Sequence, residues 1–324
     1  MSVLYLTEQG SKIRKTGNRL IVEKDDTELG EVKCFRLESI LLYGNIQVTT
    51  QALSEILQHG IGLSLMTEDG RLKGQLIAAL PKNVPLRVRQ HESLHDPAFA
   101  LRQACRVVEV KIRNCLELLK QADWDQPEES RQETRDKLQD YAERVSDCTA
   151  LDSLRGFEGA AAQAYFGALP SLFKEPELFK GRQRRPPRDP VNAVLSFGYV
   201  LLCTQLQSLL NAVGLDPFIG YLHEVTYGRP SLALDLLECY RAPVVDRFAV
   251  KLFNLKMLSA EDFDDDPENG FHLKQPALKK FFAEWEKHLL HLKVRSAEQR
   301  QVETLMAVLR NEREFPEHYV FKAD

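Results

Sequence analysis

The chain has 324 residues, 28% of them charged and 44% hydrophobic, with a formal net charge of −4. That length allows two domains with cores of their own, and the composition is ordinary for a soluble globular protein. The slight acidity excludes a globally basic nucleic-acid binder, so any DNA contact has to come from local basic patches. The six cysteines (Cys34, Cys105, Cys115, Cys148, Cys203, Cys239) form no Cys-x-x-Cys pair. They read as buried thiols of a reducing compartment, not as a zinc ribbon or an iron–sulfur cluster. No signal-type apolar segment opens the chain and no apolar run reads as long enough to span a bilayer, which predicts a cytoplasmic protein with no membrane contact.

The N-terminal part reads as β-rich. Val3–Leu6 is a short strand, and Thr16-Gly17-Asn18 lies between two alternating runs over residues 12–22, a hairpin signal. Residues 34–43 predict a strand, residues 51–58 a helix stopped at Gly60, and residues 61–66 and 72–79 two more strands. Pro81 and Pro85 mark a linker. From Pro97 the period becomes helical, with one apolar stripe through Leu101, Ala104, Val108, Ile112, Cys115 and Leu119. Further helices are predicted over 129–147, 151–168, 191–213, 231–240, 245–255, 276–291 and 296–311. The fold class expected is α+β: a small β-rich domain over residues 1–84, then an all-α domain over residues 85–324.

The stretch from Leu222 to Glu238 carries the most chemistry. Pro230 and Ser231 start a helix that is apolar nearly all round, yet Asp235 and Glu238 share one of its faces. Two carboxylates on a buried helix need a cation, and His223 lies just upstream. A mixed carboxylate and imidazole set suits Mg²⁺ or Mn²⁺. Ion pairs account for the same spacing equally well: Glu238 with Arg241, and Asp235 with Arg229 or another arginine, with His223 an ordinary capped histidine. Glu158 sits in a helix of small residues that would let neighbouring helices approach closely, where a pair with Arg155 is the plainer reading. The stretch from Lys180 to Pro190, with Arg182, Arg184, Arg185 and Arg188 stiffened by prolines, suits phosphate contacts. His288 and His291 read as surface residues beside Trp285, and His59, His91, His95, His272 and His318 as surface or loop residues. Phosphate-cradling glycine loops, Gly-x-Ser-x-Gly and His-Glu-x-x-His are absent from the sequence.

Taken in order, several segments resemble the CRISPR-associated spacer integrases, the first and near-universal family of CRISPR-associated proteins. They are Leu4 to Gly10, Leu42 to Thr49, Leu154 to Ala160, Arg184 to Asn192, Leu195 to Tyr199 and His223 to Glu238. The likeness extends over nearly the whole chain and looks like the stand-alone form, with no fused nuclease or reverse transcriptase. It implies a metal site of Glu158, His223 and Glu238, with Asp235 as a further ligand or as the group that orients His223. Some members carry Asp where this chain has Glu238. It also implies a β-rich dimerisation domain and a helical catalytic domain.

The implied reaction is attack of a 3′ hydroxyl of short foreign DNA on a phosphodiester at the boundary of a CRISPR repeat, aided by Mg²⁺ or Mn²⁺. Arg229 would bind the scissile phosphate, and the loop from Arg182 to Arg188 would track the DNA backbone. The partners implied are double-stranded DNA (protospacer and repeat or leader), a small dimer of the second CRISPR-associated protein, and a second copy of the chain. The dimer is expected through Leu4, Leu6, Phe35, Ile40, Leu42 and Ile46, which so small a domain cannot easily bury alone. A metal-dependent structure-specific nuclease of repair and a non-catalytic DNA-binding scaffold are the alternatives.

Overall fold

The computed structural model describes residues 2–79, 81, 83–121, 127–183 and 186–322. Eight strands come first. β1 (Ser2–Leu6), β5 (Leu37–Tyr43), β7 (Gly62–Met66) and β8 (Leu72–Leu76) form one sheet in the order β1-β5-β7-β8, parallel except for the last pair. β2 (Lys12–Thr16), β3 (Arg19–Lys24), β4 (Thr27–Lys33) and β6 (Gln47–Val48) form a second, in the order β4-β3-β2-β6. The hairpin expected at Gly17-Asn18 joins β2 and β3, and Gly17 takes φ +57°, which glycine adopts at no steric cost. α1 (Thr50–Gln58) is capped by the Thr49 side chain, which accepts from the Ala52 N–H.

Three expectations for this part change. Cys34–Arg36 is a 3₁₀ turn, and the strand begins only at Leu37. β4 is exposed along nearly its whole length, so its polar sequence carried no alternation to read. Pro85 starts a helix, α2 (Val84–Ser93), where its missing N–H costs nothing, instead of marking a linker.

The two faces of β5 explain how the halves join. Ile40 and Leu42 enter a small core with Leu6, Ile13, Leu20 and Ile56, while Leu41 and Tyr43 point the other way into the large helical core. Tyr5 stacks on Phe282 at 4.1 Å and donates to Glu286 at 2.7 Å across the same boundary. Of the six apolar residues expected at a dimer contact, Leu6, Ile40 and Leu42 are therefore buried within one chain, and only Phe35 is exposed.

The rest is helical: α3 (Pro97–Gln121), α4 (Glu128–Arg144), α5 (Leu151–Ala168), α6 (Pro190–Val213), α7 (Ser231–Leu237), α8 (Arg247–Asn254), α9 (Gln275–His291) and α10 (Val294–Leu309). The helical half also holds one antiparallel hairpin, β9 (Phe263–Asp266) and β10 (Gly270–Leu273), which its polar aspartates hid from the sequence reading. α6 is long and apolar enough to cross a membrane by length and composition, against the sequence expectation, and 67% of that window is buried inside the fold as a core helix. A π-helical turn, Arg241–Asp246, connects α7 to α8. His288 is buried rather than exposed: its Nε2 lies 2.9 Å from the Val244 carbonyl, and burial pulls its pKa down to about 4. Burial likewise lowers His318 to about 4.

Candidate metal centre and DNA cleft

Asp235 organises the centre from α7. Its Oδ2 accepts from the backbone N–H of Tyr221 at 2.6 Å and of Leu222 at 3.0 Å, and its Oδ1 accepts from that of His223 at 3.0 Å. The same Oδ1 lies 2.7 Å from His223 Nδ1. A carboxylate with these donors around it acts as acceptor, so Nδ1 carries a hydrogen and Nε2 is the ring nitrogen turned toward Glu238. Gly220 makes the approach feasible: a Cβ there would lie 2.7 Å from Asp235 Oδ2 and 2.9 Å from the Leu232 nitrogen. The ion pair of Asp235 with Arg229 that the spacing left open is not formed.

Glu238 follows one turn later and is 4% exposed. His223 Nε2 faces its Oε1 at 3.9 Å, too far for a hydrogen bond. Arg241 donates to the same Oε1 at 2.9 Å, as the plainer reading expected. Burial by itself would raise the Glu238 pKa; Arg241, Lys111 and His223 outweigh it and hold the carboxyl down at about 2. Glu158, on α5, reaches this group through Lys111 of α3. The Lys111 ammonium lies 2.6 Å from Glu158 Oε1 and 2.8 Å from Glu238 Oε2. Burial opposes its charge, and Glu238 and Glu158 more than compensate, raising its pKa above that of an ordinary lysine. Asn114, one turn along α3, donates to the Cys239 carbonyl at 2.7 Å and so fixes α3 against the residue after Glu238.

Lys111 thus bridges Glu158 and Glu238, far apart in sequence, and His223 faces Glu238. Lys111 escaped the sequence reading although it left a signal: it lies three residues after Val108 and four before Cys115, on the buried stripe of its helix. Two carboxylates and one imidazole nitrogen are the donor set of a hard divalent ion such as Mg²⁺ or Mn²⁺. One buried donor, Glu238 Oε2, has no hydrogen-bond partner and only the Lys111 charge beside it.

The centre opens onto a cleft of about 2020 Å³. Gly156 and Gly159 of α5 face open space, with nothing within 4 Å of a would-be Cβ, and Gly159 lines the cleft. α5 packs on α3 and α4 with Ala161 and Ala168 buried, as its small residues suggested, while Gly159 on its other side leaves room in the cleft. Arg71, Lys73, Arg155 and Arg229 also line it. Arg155 pairs with Glu224 at 3.0 Å, not with Glu158. Tyr227 stands fully exposed at the rim.

The arginine loop divides. Arg182 is turned into the protein, donating to Asn192 Oδ1 at 2.8 Å and lying over the Tyr199 ring at 5.4 Å. Arg188 is exposed and donates to the Pro267 carbonyl at 3.2 Å. Arg184 and Arg185 lie outside the described residues. Beneath the centre, Asp246 accepts from Tyr165 at 2.7 Å and from Tyr199. Burial raises the Asp246 pKa to about 6, against the two tyrosines, Arg182 and Arg241.

A second grouping of ligand types lies in the β-rich half. Cys34, Glu55 and His59 bring their ligand atoms within 4.8 Å of one another, the only such group among the described residues. Lys15 already pairs with Glu55, and burial raises the Cys34 thiol away from the thiolate a metal needs.

The family model described as CRISPR associated protein Cas1 matches residues 4–287. The CRISPR-associated endonuclease Cas1 3 of Thermus thermophilus is 38% identical over 292 residues, covering 88% of this chain and 82% of the relative. The chain belongs to the Cas1 family. This is the family its sequence motifs resemble. A CAS1 protein from Thermotoga maritima superposes with a TM-score of 0.84 at 25% identity over the whole of both chains. The Cas1 fold also recurs in a Cas6-RT-Cas1–Cas2 complex, with a TM-score of 0.82 at 25% identity over 99% of this chain and 36% of that one.

Proposed function

We propose that this Cas1-family chain is a divalent-metal-dependent DNA integrase that joins short foreign DNA to a CRISPR array in the cytoplasm. The observation that supports the reading is that Lys111 bridges Glu158 and Glu238, with His223 facing Glu238, on a cleft whose lining also carries Arg71, Lys73, Arg155 and Arg229. Those three residues would hold Mg²⁺ or Mn²⁺, which supplies Lewis-acid stabilisation of charge on the phosphate and orients its oxygens. Asp235 acts through His223, fixing the tautomer and direction of the imidazole. Arg229 binds the scissile phosphate, with Arg71 and Lys73 on the wall beyond it and Arg188 farther along the DNA. In the reaction one P–O bond forms to the incoming 3′ oxygen and one breaks to the repeat strand. The attacking hydroxyl loses a proton and the departing 3′ oxygen gains one. The number of phosphodiesters is unchanged, so no external energy source is required.

The assembly proposed places double-stranded DNA across two copies of the chain and a small dimer of the second CRISPR-associated protein. The Cas1–Cas2 complex among the structural relatives supports that partner. Phe35, exposed between Lys33 and Arg36, is the contact proposed for the homodimer.

The decisive assay mixes labelled short duplex, supercoiled plasmid carrying a repeat, and the small partner, with Mg²⁺ or Mn²⁺ and then with a chelator. Label transferred to plasmid only with the metal supports the integrase. Cleavage of branched DNA without transfer would favour the repair nuclease instead.

A further inference from the structure

We infer that Lys111 is a built-in place-holder for the divalent ion, one that the ion must displace and that ties metal loading to the arrival of DNA. The inference rests on the metal-centre reading above.

A lysine on the buried stripe of α3 needs anions to hold its charge. Val108, Ile112 and Cys115 around it are all buried, and its ammonium spans two carboxylates carried by different elements, at 2.6 Å and 2.8 Å. Glu158 sits on α5 and Glu238 at the end of α7, and the Lys111 ammonium is the contact that links the two carboxylates. It lies in the space between the oxygens that would ligate an ion. Charge counting makes the competition explicit. Glu158 and Glu238 carry two negative charges, and Lys111 and Arg241 carry two positive ones. Arg241 is committed to Glu238 and lies over the Tyr199 ring at 4.5 Å. A divalent ion between the carboxylates would lie against the ammonium, and like charges at that range repel strongly in a partly desolvated site. Lys111 is the group that must yield, because both of its ion pairs are to the carboxylates that would take the ion, whereas Arg241 also rests on the Tyr199 ring.

Once displaced, the ammonium needs another anion. Of the other acids on the cleft, Glu224 is already paired with Arg155, Asp69 with Arg71, and Asp246 is held by two tyrosines. A DNA phosphate in the cleft supplies what is missing. Metal and DNA binding therefore help each other, and the coupling runs equally in both directions.

The test measures Mn²⁺ affinity of the full chain by calorimetry, with and without a short duplex, for wild type, K111M and E238Q. K111M keeps the length of the side chain and removes its charge. We expect K111M to bind Mn²⁺ at least tenfold more tightly than wild type without DNA, and to gain less from DNA than wild type does. Equal or weaker Mn²⁺ binding by K111M would mean that Lys111 merely props up the ligands, and would overturn the inference. If wild type binds no Mn²⁺ and E238Q is indistinguishable from it, the metal-centre reading fails first. Should K111M not fold, as judged by its melting curve, ¹⁵N-lysine spectra of wild type decide. The ammonium protons held by two carboxylates exchange slowly and give a signal that Mg²⁺ should abolish; a signal that survives saturating Mg²⁺ would equally overturn the inference.

Discussion

The β-rich half and the helical half each bury a glutamate against a lysine and a histidine. Glu55 pairs with Lys15, and His59 Nδ1 lies 3.5 Å from its carboxylate. Glu238 pairs with Lys111 and faces His223. By residue types, the first cluster with Cys34 looks the better ligand set, and its atoms are closer together. The difference lies in support and access. His59 Nδ1 sits 3.0 Å from the carbonyl of Glu55, four residues back in its own helix, whereas a dedicated carboxylate, Asp235, orients His223. Only the helical cluster lines the cleft. A reactive centre needs an oriented base and a way in, and proximity of ligand atoms provides neither.

The sharpest way to break this comparison is to neutralise each glutamate in turn. E238Q removes one charged oxygen and leaves a neighbour of similar shape. The ion it would help hold supplies several kcal/mol of charge stabilisation, so strand joining should fall about a thousandfold. E55Q should leave joining within about threefold of wild type at matched protein concentration, since Glu55 lies away from the cleft and its loss acts on stability. Comparable losses in both variants, measured as initial rates of label transfer, would erase the distinction.

D235N sharpens the same contrast. It keeps the size of the side chain but can present an amide N–H to the loop, which turns or loosens His223. Groups that orient metal ligands typically govern about 10- to 100-fold in affinity or activity. Mn²⁺ affinity should fall by that range while H59A changes nothing. An unaltered Mn²⁺ isotherm for D235N would show that the hydrogen bond to His223 is only structural.

Much of this was legible beforehand, and the illegible parts share physical causes. The helices that were read correctly over residues 151–168 and 191–213 have long, regular apolar patterns. β4 and β9 leave no period-two signal because they are exposed or aspartate-rich, and the four residues of β10 are too few to show a period. The membership of Glu158 in the centre came from family motifs, since a lone acid among alanines and glycines has many plainer explanations. Lys111 was hidden because the stripe was read for apolar residues, and a buried cation can be recognised only when its anions from two other helices are known. His288 was misplaced on the surface because nothing local in α9 reveals the Val244 carbonyl that receives it.

Asp246 lies in the helical half beneath the centre and lacks the lysine that both glutamates have. Its partners are two tyrosines, and its pKa is raised to about 6. A raised native pKa means the folded state holds this proton more tightly than the unfolded chain does. Its contribution to stability is therefore largest at low pH and is lost as pH rises through about 6. Between pH 5 and 7 the difference is worth about 1 kcal/mol. Other carboxylates slope the opposite way, so the measurement is the pH dependence of wild type minus that of D246N in urea unfolding. A flat difference curve across this range would mean that Asp246 stays ionised beneath Arg241.

The smallest effect is expected in the β-rich half, and it asks whether the Cys34 cluster is only packing. C34A removes the thiol of a residue that is 1% exposed, and it leaves a small void. Such a deletion costs about 1 kcal/mol. If the cluster held zinc, the variant would lose far more, because binding free energy at a structural site is folding free energy. Chelation of wild type would then also lower its melting temperature to that of the variant. We expect the opposite: a small loss in C34A, and the same melting temperature for wild type before and after dialysis against chelator. Lys15 gives the physical ground, because Glu55 is already neutralised by a cation from the neighbouring strand and the buried thiol resists ionisation. Lys111 neutralises Glu238 in a similar way, but it does so on the wall of an open cleft, whereas Lys15 and Glu55 lie outside that cleft.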